Sequence, residues 1–172
     1  MHEQAKRWVE DHAAGKQFDL VVELGACDVN GSIKHLFDCR EYIGVDIVEG
    51  PNVDVVSDAA TFRPERPASC VVTTEMLEHA PNAREICLAS WSMLEPGGVF
   101  IATAAGPGRA PHSAIDGREL RAGEYYGNID PNELTSWLVE AGFVEYIVDR
   151  QRRPADVRCI AYKPGNEHGA FD

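Results

Sequence analysis

The chain has 172 residues, 44% hydrophobic and 26% charged, and its 16 basic against 28 acidic side chains leave a net charge of −12. That length predicts one domain able to bury a substantial core, and the acidic balance argues against a bulk electrostatic grip on nucleic acid or on an anionic membrane. No apolar run approaches the roughly 18 residues of a membrane span, the polar start His2-Glu3-Gln4 has no secretory hydrophobic segment, and five cysteines without a Cys-x-x-Cys pair suit a reducing cytoplasm better than a disulfide framework.

Taken in order, residues 3–14 place Ala5, Trp8, Val9 and His12 at helical spacing and predict an amphipathic first helix. Phe18 to Leu24 is a short β-branched run ending in a glycine turn, the pattern of a buried strand. Ser32 is placed to cap a short helix running to about Cys39. Further strands are predicted at 42–47, 53–58 and 70–74. Asn82 and Glu85 have capping-box spacing ahead of a helix through Leu94, with Pro96-Gly97-Gly98 as its stop. A fifth strand follows over 99–104. Asp130, Pro131 and Glu133 open another helix whose stripe is Leu134, Trp137, Leu138 and Ala141, with Gly142 closing it. Residues 143–149 and 156–162 read as two strands joined by a turn at Arg152-Arg153-Pro154. The domain is expected to span 1–163, and 164–172 reads as a flexible polar tail.

Strands alternating with helices imply a parallel sheet covered on both faces, and two final strands without an intervening helix imply an antiparallel hairpin at one edge. The expected fold is an α/β, three-layer Rossmann-like sandwich around seven strands, mostly parallel. In such a sheet ligands bind beyond the carboxyl ends of the strands, where the strand order switches.

Four strand ends carry suggestive residues. Glu23-Leu24-Gly25-Ala26-Cys27 makes a glycine turn open to close ligand approach, although it is not the Gly-x-Gly-x-x-Gly of dinucleotide sites. Asp46, 21 residues after Gly25, is placed to accept both hydroxyls of a ribose. Asp58 follows the third strand, and Thr74-Glu75-Met76-Leu77-Glu78-His79 follows the fourth. In that order and spacing, with Leu94-Glu95-Pro96-Gly97-Gly98 before the fifth strand, these segments resemble the class I S-adenosylmethionine-dependent methyltransferases over nearly the whole chain. Where that family carries further glycines after Gly25, this chain has Cys27 and Val29.

The resemblance implies S-adenosyl-L-methionine as cofactor and a binding set of Glu23, Gly25, Ala26, Cys27, Asp46, Ile47, Ser57, Asp58, Ala59, Thr74 and Glu75. Asp46 would hold the ribose hydroxyls, Asp58 would contact adenine, and Thr74 and Glu75 would line the floor near the methyl group. The Asn/Asp-Pro-Pro-Tyr and Pro-Cys signatures of DNA methyltransferases are absent, so a small-molecule acceptor (at O, N or C) is expected, nucleic acid is not, and the oligomeric state stays open. A basic cluster at Arg150, Arg152, Arg153 and Arg158 reads as a solvated face. The segment 105–129, long and without helical or strand pattern, follows the fifth strand and is expected to form the acceptor pocket. His79 and His112 are the candidate general bases, since histidine titrates near neutral pH. Glu75-x-x-Glu78-His79 with His112 also resembles the metal set of small-RNA 2′-O-methyltransferases and some quinone-precursor O-methyltransferases, but no metal ligand is assigned. Two alternatives are a protein of this fold that binds the cofactor without turnover and a metal-assisted RNA methyltransferase.

Overall fold

The computed structural model describes residues 2–29 and 31–166, so the last six positions of the expected tail lie outside it. In chain order the elements are α1 (Glu3–Ala13), β1 (Gln17–Leu24), β2 (Asp38–Asp46), β3 (Val55–Val56), β4 (Ala68–Thr74), α2 (Ala83–Met93), β5 (Leu94–Ala105), α3 (Pro131–Ala141), β6 (Glu145–Arg152) and β7 (Ala155–Tyr162). Short 3-10 turns sit at Lys34–Leu36 and Leu77–His79. The seven strands form one sheet in the order β3-β2-β1-β4-β5-β7-β6. Every pair through β5 is parallel, and β7 runs antiparallel between β5 and β6. The chain builds outward from β1 to β3, then returns to lay β4 against the other side of β1. The order therefore switches between β1 and β4, and it is beyond the carboxyl ends of the strands at such a switch that open α/β sheets hold their ligand crevice.

Two apolar layers sandwich the sheet. On one face Leu20, Val22 and Leu24 of β1 and Phe100 of β5 pack against Ile86, Cys87 and Met93 of α2 and Leu134 and Leu138 of α3. On the other, Val21, Val72 and Ile101 meet Val9 and Ala13 of α1 with Ile33 and Phe37. Cys70, Cys87 and Cys159 are buried as small core residues. None of the described helices is long and apolar enough to cross a membrane.

Several local expectations change. The helix expected from Ser32 is a single 3-10 turn, because Ile33 and Phe37 both enter the core and β2 begins immediately at Asp38. The third strand shrinks to Val55–Val56, paired only with Val45 and Asp46. Asn82 does not cap α2 with its side chain; its Nδ2 turns to the Asp58 carboxylate at 3.2 and 3.3 Å. Pro96-Gly97-Gly98 does not stop a helix. β5 already starts at Leu94, opposite Ala68, and the extra residues are absorbed by a register shift before Cys70 meets Val99. The α3 caps are realised: Asp130 accepts from Asn132 N at 2.8 Å and Gly142 closes the helix at φ 103°, while of the stripe Leu134 and Leu138 are buried and Trp137 and Ala141 only partly so.

Candidate functional site

The β1–β2 half of the crevice is built around the turn at Gly25. Its φ is 78°, in the left-handed region that favours glycine, and a Cβ there would lie 2.5 Å from Met76 Cγ. The Gly25 and Ala26 amides both donate to Val45 O, at 2.9 and 3.1 Å, which ties the turn to the end of β2. Asp46 completes the tie: its Oδ2 accepts from Cys27 N at 3.1 Å and its Oδ1 from Val48 N at 3.2 Å. Ile47, next in sequence, is 71% exposed, a large apolar side chain left open at the rim. Ser57 N donates to Asp46 O, and Asp58 Oδ1 accepts from Ala60 N, so the second rim carboxylate is fixed one strand further out. Ala59 is buried beneath it. Below the turn Glu23 is only 4% exposed and accepts a 2.8 Å hydrogen bond from Tyr42 Oη. Burial pushes its carboxyl up to about 7, and the Tyr42 hydrogen bond only partly offsets this.

The β4 end divides into two clusters. Glu75 has φ 53°, strained for a side chain with a Cβ, and its amide donates to Thr103 O. Its Oε1 accepts from Thr103 Oγ1 at 3.0 Å, and its Oε2 lies 3.2 Å from His2 Nε2. The same His2 nitrogen is 2.9 Å from Asp156 Oδ2, and Arg109 reaches both acids, at 2.5 Å from Asp156 and 3.8 Å from Glu75. Burial alone would lower the His2 pKa, but the Asp156 and Glu75 bonds and charges raise it to about 9. Burial would likewise raise the Glu75 carboxyl, but the His2 hydrogen bond and charge outweigh it and hold it below the usual carboxylate range.

Glu78, His79 and His112 form the second cluster, each offering a donor atom within 4.8 Å of the others. Glu75 is not among them, because its turn directs the carboxylate to His2 instead. Glu78 is fully buried, and neither carboxylate oxygen has a hydrogen-bond partner. Burial first, then the Glu75 charge, pushes it up to about 8. His79 Nδ1 and Tyr126 Oη are also buried without partners. The His79, His112 and Tyr126 rings stand edge to face, with centroids 5.0 to 5.4 Å apart. Burial, then His112, lowers the His79 pKa. Buried polar groups without partners mark a place where a ligand can satisfy them, and a carboxylate with two imidazoles suits a transition ion such as Zn²⁺, Fe²⁺ or Mn²⁺ better than Mg²⁺.

The roof comes from 106–129, which has neither helix nor strand but is held down by its own bonds. Gly106 N donates to Ala155 O, Gly127 N to Glu78 O and Ile129 N to Ala105 O, each at 2.8 Å. Ser113, buried, donates to Glu124 at 2.7 Å. The segment brings His112 and Tyr126 onto His79, and Arg109 onto Glu75 and Asp156. His2, Arg109 and Asp156 escape the sequence reading because they lie far apart in the chain. The one local hint is Asp156, an acid near the start of a strand that is mostly apolar apart from Arg158. Arg158 departs from the solvated basic face: it packs over the Trp8 ring at 4.6 Å and pairs with Asp149.

No family model matches the chain. It is 26% identical, over a 183-residue alignment covering 91% of this chain and 74% of the relative, to the ubiquinone biosynthesis O-methyltransferase of Burkholderia pseudomallei (strain 1710b). Among solved structures it resembles the N-methyltransferase NodS of Bradyrhizobium japonicum WM9 in complex with S-adenosyl-L-homocysteine. That match has a TM-score of 0.66 and 14% identity, and covers 94% of this chain and 86% of the other. The chain has the class I S-adenosylmethionine-dependent methyltransferase fold. The same fold recurs in the 1,6-didemethyltoxoflavin-N1-methyltransferase of Burkholderia thailandensis, with bound 1,6-didemethyltoxoflavin and S-adenosylhomocysteine. There the TM-score is 0.66 and identity 19%, covering 94% of this chain and 77% of the other.

Proposed function

We propose that this chain is an S-adenosylmethionine-dependent methyltransferase acting on a small-molecule acceptor. The observation that carries the reading is the rim of the crevice: Asp46 ends β2, Asp58 lies just past the neighbouring β3, and the Ile47 side chain beside Asp46 is exposed. Carboxylates so placed accept hydrogen bonds from ribose hydroxyls and an adenine amino group, and an exposed aliphatic side chain gains by covering a base. Glu23, Gly25, Ala26 and Cys27 would face the methionine part, and Ser57, Ala59, Thr74 and Glu75 would complete the cofactor wall. The carboxylates lining this crevice favour a cofactor carrying an ammonium and a sulfonium.

The cofactor supplies an activated methyl group for in-line displacement. The protein's main work is to hold acceptor and methyl donor in line and to exclude water, and alignment alone can contribute several kcal/mol. The 106–129 segment roofs the crevice and places His112 and Tyr126 beside His79, so the acceptor would be bound under it. His79 or His112 would take the acceptor's proton. Glu78, His79 and His112 also fit a divalent cation, which would favour the ionised form of an acceptor hydroxyl. The net charge of −12 supports a small acceptor over a nucleic acid.

Calorimetric titration with S-adenosylhomocysteine tests the reading. Micromolar binding to the native chain and at least tenfold weaker binding to Asp46→Ala are expected. No binding to the native chain at millimolar ligand would overturn it.

A further inference from the structure

The first turn of α1 lies at the active-site end of β7. Three ties run along that strand in register: His2 to Asp156, Trp8 Nε1 to Cys159 O at 3.2 Å with Arg158 over its ring, and Lys16 Nζ to Tyr162 Oη at 3.5 Å. α1 and the turn after it are therefore strapped along β7, and the N-cap residue His2 reaches the rim of the site. There His2 meets Arg109 from the covering segment on the same two acids, Glu75 and Asp156. Asp156 is buried and Glu75 is held in a left-handed turn. Removing one partner of such a network leaves a buried charge without compensation. A backbone conformation of that kind persists only where its surroundings over-determine it. The four segments that meet here, at residues 2, 75, 109 and 156, are far apart in sequence.

We propose that His2 is a positioning residue that couples α1 to the covering segment: sharing Glu75 and Asp156 with Arg109, it sets the first turn of α1 as a wall of the acceptor pocket and holds the Glu75 carboxylate toward the roof. The wall's role in acceptor binding rests on the methyltransferase reading; the coupling does not. A residue that only capped α1 would affect α1 alone, whereas coupling through shared acids is reciprocal.

Hydrogen exchange on the full chain without ligand tests this. In His2→Ala, the amides of Gly106, Arg109 and Ser113 exchange at least tenfold faster, along with the first turn of α1. In Arg109→Ala, the first turn of α1 exchanges at least tenfold faster. His2→Lys, which restores a cation between the acids, returns the covering segment to within about threefold of the native rate. Acceleration confined to α1 in His2→Ala, or to the covering segment in Arg109→Ala, overturns the coupling, as does failure of the lysine variant to restore protection. Absence of S-adenosylhomocysteine binding to the native chain would fall on the methyltransferase reading instead.

Discussion

Glu23→Gln isolates the cost of keeping a carboxyl group beneath the Gly25 turn. Glu23 is 4% exposed, and burial raises its pKa from 4.5 to about 7 against the opposing hydrogen bond from Tyr42. In the unfolded chain the group ionises near its ordinary value, so the folded state binds the proton more tightly. Its contribution is fully present below about pH 4.5 and is lost as pH rises through 7, flattening above that. At about 1.4 kcal/mol per pH unit, the loss is about 3 kcal/mol. Glutamine keeps the volume and accepts from Tyr42 Oη but does not titrate. Urea unfolding of both proteins between pH 4 and 8 reads the difference. Relative to native, the variant should gain about 3 kcal/mol across that interval, roughly a 6–12 °C rise in its relative Tm at this chain length. A native-to-variant difference that stays constant with pH would mean the carboxyl ionises normally in the folded protein, and the argument from burial would fail.

Gly44→Ala should destabilise the fold by about 3 kcal/mol, since a Cβ there would overlap the Asn52 carbonyl oxygen deep inside van der Waals contact and only the backbone can yield; thermal unfolding checks this, and a shift under 2 °C would count against the packing described. Manganese titration, followed by the paramagnetic resonance of the free ion, should show binding that weakens at least tenfold in Glu78→Gln and in His112→Ala; no uptake at millimolar manganese would leave the cluster a proton-transfer and hydrogen-bonding site. Asn82→Ala should weaken S-adenosylhomocysteine binding severalfold while leaving α2 intact, because its side chain holds the Asp58 carboxylate and does not cap the helix; far-ultraviolet circular dichroism with calorimetry separates the two, and lost helicity at unchanged affinity would refute it.

Much of the backbone along the β1–β3 rim was legible because its signals are local. A β-branched run running into Gly25, an acid at Asp46 and an acid at Asp58 lie at or within two residues of a strand end, and strand ends are set by neighbours in sequence. The caps of α3 were equally legible, since Asp130, Pro131 and Gly142 act within one turn of their own helix. Asn82 misled for the opposite reason: its spacing to Glu85 is that of a capping box, but Asp58, 24 residues away, offered its side chain a charged partner. Pro96-Gly97-Gly98 misled because a register shift in β5 absorbed it.

The sequence by itself determined the alternation of strands and helices, the acidic rim of the crevice and the placement of a long patternless segment after the fifth strand. These follow from periodicity, from glycine's conformational freedom and from short-range capping, all of which act over a few residues. Which carboxylates meet which cations was settled by long-range folding. The left-handed turn at Glu75 parts it from Glu78 and delivers it to His2, while the covering segment folds back to bring His112 and Tyr126 onto His79 and Arg109 onto Asp156. The reason is physical: buried charges and unpaired polar groups choose partners by distance through space, and neither periodicity nor spacing along the chain encodes that distance.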